Sequence, residues 1–146
     1  NLITNRYYQI CKKENISFEI NIQNTQLDFM SEPDITSLFD NLIANATEAA
    51  KQSENKFIIF SIDIRNSNFL VISVLNSSDK KTLQVNENII SSKKDSEMHG
   101  IGIKSIKRVV KKYDGIITMT YNDNQKTFNT TITFQLYNPT SDLDNI

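Results

Sequence analysis

The chain is poor in the residues that most often announce a function. Among 146 residues there is one cysteine, Cys11, and one histidine, His99. A single cysteine excludes an internal disulfide and a cysteine metal cluster, and a single histidine excludes a multi-histidine metal site. A reducing, intracellular compartment fits this usage. Basic and acidic residues nearly cancel, 16 against 17, giving a net charge of −1 and a pI of about 5.8. A nucleic-acid binder would usually carry a basic excess, so that class is disfavoured. No apolar run approaches the roughly 18 residues of a membrane span. The longest are "FIIF" at 57–60 and "FLVI" at 69–72. No signal peptide is visible, and Asn1 in place of Met reads as the edge of a longer protein. Glycine is also scarce: there are three, where average usage of about 7% would give about ten. Two of them, Gly100 and Gly102, stand almost side by side in "MHGIGIKSIKRVVKKYDG" (98–115).

What is present suffices for one domain with its own core. Residues 2–13 mix Leu2, Ile3, Tyr7, Ile10 and Cys11 with polar residues, as a short helix does. "ISFEINI" (16–22) alternates like a strand. "SEPDITSLFDNLIANATEAAKQ" (31–52) is the best helix: Ser31 can cap it, Pro33 suits its first turn, and Asp34 lies three residues past the cap. Its apolar stripe is Ile35, Leu38, Leu42, Ala46 and Ala49. "FIIFSIDIR" and "FLVISVL" flank "NSN" (66–68) as a hairpin. A long polar stretch, 77–98, has the length of a lid or binding loop. A helix over "IKSIKRVVKKY" (103–113) follows the glycine pair, and a second hairpin, "IITMTY" and "FNTTITFQLY", surrounds "NDNQ". The economical packing is α+β in two layers: a mixed, mostly antiparallel sheet of about five strands, with about three helices on one face.

Three places put polar groups where a core alone would not need them. Asn41, Asn45 and Glu48 share one stripe of the long helix, at spacings of four and three. Asn is a poor helix-interior residue. Either this is an exposed polar stripe, or it lines a cleft whose neutral oxygens suit Mg²⁺ ligated otherwise by phosphates and water. The glycine pair either starts a helix or lets free amides and the helix dipole approach phosphates, with glycine adopting φ > 0. Gly115 belongs at the helix end as a C′ glycine. Lys104, Lys107, Arg108, Lys111 and Lys112 read as a solvated face. The third place is Asn76, where the strand gives way to "NSSD", together with Thr130, whose hydroxyl shares an inward face with Phe128, Ile132, Phe134 and Leu136. That hydroxyl needs a partner, either a backbone group or the edge of a bound base.

"FDNLIANATEAA" resembles the N box of the GHKL (Bergerat-fold) ATPases, and "HGIGIKSIKRVVKKYDG" resembles their second glycine box. The two are separated by a hairpin and a lid, in the family's order. More narrowly, "SSKKDSEMHGIGIKSIKRVVKKYDG" is similar to the ATP-binding domain of sensor histidine kinases of the AgrC quorum-sensing type. The resemblance spans roughly 16–136. It implies that Asn45 holds Mg²⁺ against the ATP phosphates, and that Asn41 stands where hydrolysing branches place a glutamate base. An amide cannot take a proton from water, so Asn41 favours phosphoryl transfer over hydrolysis. It further implies that Gly100 and Gly102, with Ile101 between them, are lid-hinge residues wrapping the triphosphate. Ser92, Lys93 and Lys94 match a lid stretch in which a lysine could meet a phosphate. Thr130 matches a threonine near adenine. The first glycine box departs from the family: Asn76-Ser77-Ser78-Asp79-Lys80 replaces Asp-x-Gly-x-Gly. Asn76 can still accept from the adenine amino group. His99 either caps the helix or contacts phosphate; it is not the phosphoacceptor, which the resemblance puts on a separate dimerisation helix.

The implied organisation is the end of an upstream linker or helix at 1–15, an ATP-binding catalytic domain at 16–138 with a lid at 77–99, and a flexible tail at 139–146. The implied function is to bind Mg²⁺ and ATP and to donate the γ-phosphoryl to that histidine. The setting is a dimeric, membrane-anchored bacterial sensor kinase with this domain in the cytoplasm and a response regulator downstream. Two alternatives are a nucleotide-binding scaffold without transfer activity and an anti-sigma-type serine kinase of the same fold.

Overall fold

A computed structural model of the chain describes residues 2–23, 25–79 and 96–136. The elements are α1 (Leu2–Lys13), β1 (Ser17–Ile22), α2 (Glu32–Lys51), β2 (Phe57–Arg65), β3 (Phe69–Ser77), α3 (Ser96–Lys112), β4 (Ile116–Asn122) and β5 (Thr127–Gln135). The strands form one sheet in the order β1-β2-β3-β5-β4. β1 runs parallel to β2, and the other pairs are antiparallel. Alternation along the strands builds one apolar face. Ile58, Phe60, Ile62, Leu70, Ile72, Val74, Ile132 and Phe134 are buried there with Leu38, Leu42 and Ile43 of α2 and Ile106, Val109 and Val110 of α3. The opposite face has no helix of its own among the described residues; Ser61, Ser73, Thr120 and Asn129 line an open groove of about 660 Å³ on it. This is the two-layer α+β architecture that the sequence predicts.

The long helix starts as expected. Ser31 is the N-cap and its hydroxyl accepts from the Asp34 N–H. The buried stripe of α2 is wider than predicted, because Phe39, Ile43, Thr47 and Ala50 are covered too. The added width follows from α1, whose Tyr7 and Cys11 join the same core. α1 is tied to α2 by the Tyr7 hydroxyl, which donates to Asp40 Oδ1 at 2.8 Å, and by an Arg6–Asp40 ion pair.

The glycines behave differently from expectation. Among the described residues no glycine has positive φ. At the end of α3 the left-handed position is taken by Asp114, φ 55°. The Gly115 N–H bonds to Val110 O at 2.8 Å and the Asp114 N–H to Lys111 O at 3.1 Å, the two bonds of a Schellman stop. Gly115 is required for space: a Cβ there would lie 2.6 Å from Phe134 Cε1. Asn15 closes α1 in the same way, at φ 58°. The hairpin turn at Asn66 and Ser67 has positive φ at both residues (53° and 64°), the twist that suits a two-residue connection.

The base of α2 and the end of α3 meet at Asp34. Its side chain is 8% exposed. It accepts from Lys112 Nζ at 2.7 Å, Tyr113 OH at 2.6 Å and Ser31 Oγ at 2.9 Å. The hydrogen bonds from Lys112, Tyr113 and Ser31 hold this carboxyl well below the ordinary carboxylate range, against the opposing effect of burial. Lys112 and Arg108, read from sequence as part of a solvated face, thus have a specific partner.

Two outcomes follow. Gly115→Ala should destabilise the domain by about 1–3 kcal/mol in urea unfolding, because the fully buried Phe134 ring must move to admit the methyl. For Asp34, a lowered folded pKa contributes stability above the unfolded value, about 4, and the contribution is lost as pH falls. Native protein should therefore exceed Asp34→Asn in stability by a constant margin between neutral pH and about pH 5. That margin should shrink below about pH 4.

Candidate functional site

α2 and α3 lie antiparallel. Asp34, near the start of α2, meets the end of α3, and the middle of α2 meets Gly102. A Cβ on Gly102 would sit 3.3 Å from Asn41 Oδ1, 3.4 Å from Asn45 Oδ1 and 3.7 Å from Asn45 Nδ2. Three residues singled out from the sequence are therefore in one place. The Asn41 amide nitrogen donates back to Ser37 O at 2.7 Å, which fixes the amide with its oxygen toward α3. A Cβ at residue 102 would be in close contact with both amides.

This corrects one expectation. The sequence pattern predicts the helix over 103–113, with the glycine pair ahead of it, because glycine reads as punctuation. α3 instead starts at Ser96, so His99, Gly100, Ile101 and Gly102 all lie within its first turns. The unbonded amides of a helix start then belong to the residues from Ser96 onward rather than to the glycines. Lys93 and Lys94 lie outside the described residues, as does Ser92.

Asn76 and Thr130 are on the helix-covered side of the sheet. β3 runs to Ser77, so Asn76 is a ladder residue paired with Ile58 and Phe128 rather than the first residue of a loop. It is 3% exposed, and its Nδ2 donates to Ser77 O at 3.0 Å. Its Oδ1 accepts from no described residue. Thr130 pairs with Val74 and Met119 and is 8% exposed. Its hydroxyl has no hydrogen-bond partner among the described residues, so the backbone partner that would make it ordinary is not found there. A buried polar atom left unsatisfied costs about 1–3 kcal/mol. Two on one face are an expense that a ligand would relieve.

The segment after Asn76 is held by hydroxyls that sequence reasoning did not find. Ser53 Oγ and Ser77 Oγ are 2.7 Å apart and both buried. The Phe57 N–H donates to Ser77 Oγ at 2.9 Å, Tyr121 OH donates to Ser78 O at 2.9 Å, and the Glu54 N–H donates to Asp79 Oδ2 at 2.9 Å. Where the resemblance leads one to expect glycines, this chain has a fastened turn. Ser53 lies 24 residues from Ser77, so no local pattern pairs them.

Among the described residues no three His, Cys, Asp or Glu side chains cluster as metal ligands. The available donors are the neutral oxygens of Asn41 and Asn45. They suit a hard ion such as Mg²⁺ only when a bound anion and water complete its shell.

Residues 30–135 match the family model described as the GHKL domain. The chain belongs to the GHKL domain family. No curated protein matches it. Among solved structures, it resembles a mycobacterial sensor histidine kinase, MprB, with a TM-score of 0.71 at 15% identity over 91% of this chain and 93% of that one. It also resembles the nucleotide-free catalytic domain of the histidine kinase ThkA, with a TM-score of 0.68 at 17% identity, over 91% and 88%. Full-length ShkA in complex with AMPPNP gives 0.67 at 9% identity, over 92% of this chain and 30% of that one. At these identities the likeness shows the fold of histidine kinase catalytic domains. This GHKL domain has that fold with serines bonding the turn after Asn76.

Asn76→Asp tests the environment of that residue. A carboxylate would face Ser77 O and lose the amide donor, so the free domain should lose about 1–3 kcal/mol or more at neutral pH. Burial beside a carbonyl raises the carboxyl pKa, so the loss should ease as pH falls and the acid regains a proton to donate. Urea unfolding at pH 7 and pH 5 measures both.

Proposed function

We propose that this GHKL domain is the catalytic, ATP-binding part of a sensor histidine kinase, of the AgrC-type subgroup that its sequence resembles. One observation carries the reading: the side-chain oxygens of Asn41 and Asn45 converge on Gly102, while Asn76 Oδ1 and the Thr130 hydroxyl stay buried without described partners on the helix-covered side of the sheet. Pinned by its Nδ2 on Ser77 O, Asn76 offers one acceptor, which suits the amino group of adenine. Thr130 would meet another edge of the base. Asn45 would hold Mg²⁺ through its Oδ1, and the ion would neutralise charge on the phosphates. Lys93, Lys94, His99, Gly100 and Ile101 would surround the triphosphate.

Asn41 bears on which of two chemistries such a site supports. Its amide cannot serve as a base and is already bonded to Ser37 O. It can orient the nucleotide but cannot activate water, which supports transfer. The γ-phosphoryl would pass to a histidine on a separate region of the same or a partner protomer, and onward to a response regulator. Positioning and charge stabilisation do the work in such a step. No helix among the described residues is long and apolar enough to cross a membrane; an anchor, the cytoplasmic setting and dimerisation would belong to the rest of a longer protein.

Calorimetric titration with AMPPNP, with and without Mg²⁺, tests the site. Mg²⁺-dependent binding is expected, and Asn45→Ala should remove the Mg²⁺ dependence while leaving the fold intact. Binding unchanged in that variant would sink the metal assignment. Labelled ATP and the full-length protein should give an acid-labile phosphate. Binding with no transfer would favour the scaffold reading, and an acid-stable phosphate would favour a serine kinase.

A further inference from the structure

The two helices that frame the candidate site touch at opposite ends. From Asp34 to Asn45 is eleven residues of α2, and from Gly102 to Lys112 is ten of α3. At 1.5 Å per residue each span is about 15 Å. The two contacts therefore stand at the ends of one antiparallel pair. We propose that Asp34 is a positioning residue for the nucleotide site: by holding the end of α3, it sets how closely Gly102 approaches Asn41 and Asn45. The inference rests on the reading of that site as a nucleotide site.

Asp34 has more partners than a helix cap needs. The N-cap bond is made by Ser31 Oγ and the Asp34 N–H alone. The carboxylate additionally gathers Lys112 Nζ, Tyr113 OH and, at 3.6 Å, Arg108. The Tyr113 hydroxyl also accepts from the Ser31 N–H at 3.0 Å. All the α3 donors come from its last turns or the residue just beyond. There Asp114 and Gly115 lock the chain's exit, and Gly115 is pressed against Phe134. α3 is thus a rod fixed at its C-terminal end. A tilt of about 4° at that end would move Gly102 by about 1 Å over a 15 Å arm. The Asn41 and Asn45 oxygens lie 3.3 and 3.4 Å from where a Cβ of residue 102 would stand, so a shift of about 1 Å at Gly102 would change that approach.

The test is AMPPNP affinity in the presence of Mg²⁺, at a temperature where circular dichroism shows every variant fully folded. Four proteins form a cycle: native, Asp34→Asn, Gly102→Ala and the double variant. Asp34→Asn should weaken binding about tenfold, within the range of coupling between distinct sites. The double variant should lose less than the product of the two single losses, because both changes disturb one approach. Hydrogen exchange of the 103–107 amides without nucleotide should also quicken in Asp34→Asn. Unchanged affinity, or losses that multiply, would overturn the proposal and assign Asp34 to fold stability alone. If Asp34→Asn does not fold, Lys112→Met, at a half-exposed side chain, replaces it in the same cycle. If native protein binds no AMPPNP, the nucleotide reading itself fails and this inference with it, an outcome distinct from native binding that Asp34→Asn leaves unaltered.

Discussion

The close approach of α3 to α2 is the constraint on which the rest depends. Two Asn oxygens reach within van der Waals distance of where a Cβ of residue 102 would be. Glycine leaves that gap open, and a Cβ would occupy it in close contact with both amides. The gap is held from below by the apolar face of α3, where Ile106, Val109 and Val110 are buried with Leu38 and Leu42. It is held from the far end by Asp34. Hydrophobic burial is not directional, and alone it would let α3 slide or tilt on the sheet. Hydrogen bonds at one end and a steric limit at the other give the helix pair its register.

The sheet would supply the second half of the proposed site through its own register. Because side chains alternate in β3 and β5, pairing Val74 with Thr130 and Asn76 with Phe128 puts both polar residues on the helix side. A slip of one residue would turn both away and take Ile72 and Ile132 out of the core. The core therefore enforces the placement of groups that cost it stability. Tolerating two underused polar atoms beneath a helix is reasonable only where something else can satisfy them.

Much of this was legible in the sequence, because it is local. Period-2 and period-3.6 patterns gave the strands and α2, and Ser31, Pro33 and Asp34 marked where α2 begins. Asn41 and Asn45 were legible as one stripe because helix geometry fixes their spacing. Pairings across the chain were not. Ser53 with Ser77 and Asp34 with Lys112 join residues 24 and 78 positions apart, and a solvated lysine face has the same local pattern as an engaged one. The conformation of the glycines was not legible for a related reason. Glycine reads as a source of positive φ, yet Asn15, Asn66, Ser67 and Asp114 take that conformation here. Gly115 is small because of the Phe134 ring that packs on it, which is a tertiary fact.

Charge placement on α2 completes the picture. The helix carries several carboxylates beside the amides that face α3. An unpartnered carboxylate in that gap would repel a polyanion, and the low dielectric of a partly closed site would strengthen the repulsion. The structure directs two of them elsewhere. Asp34 is given to Lys112, Arg108 and Tyr113, and Asp40, the immediate neighbour of Asn41, is given to Arg6 and Tyr7 of α1. α1 and α3 thus pair two of the acidic groups of α2. The atoms nearest a Cβ at Gly102 are the Asn41 and Asn45 amides, whose oxygens can bind a cation without adding negative charge. α1 therefore partners Asp40, the neighbour of Asn41, through Arg6 and Tyr7, as well as packing Tyr7 and Cys11 into the core.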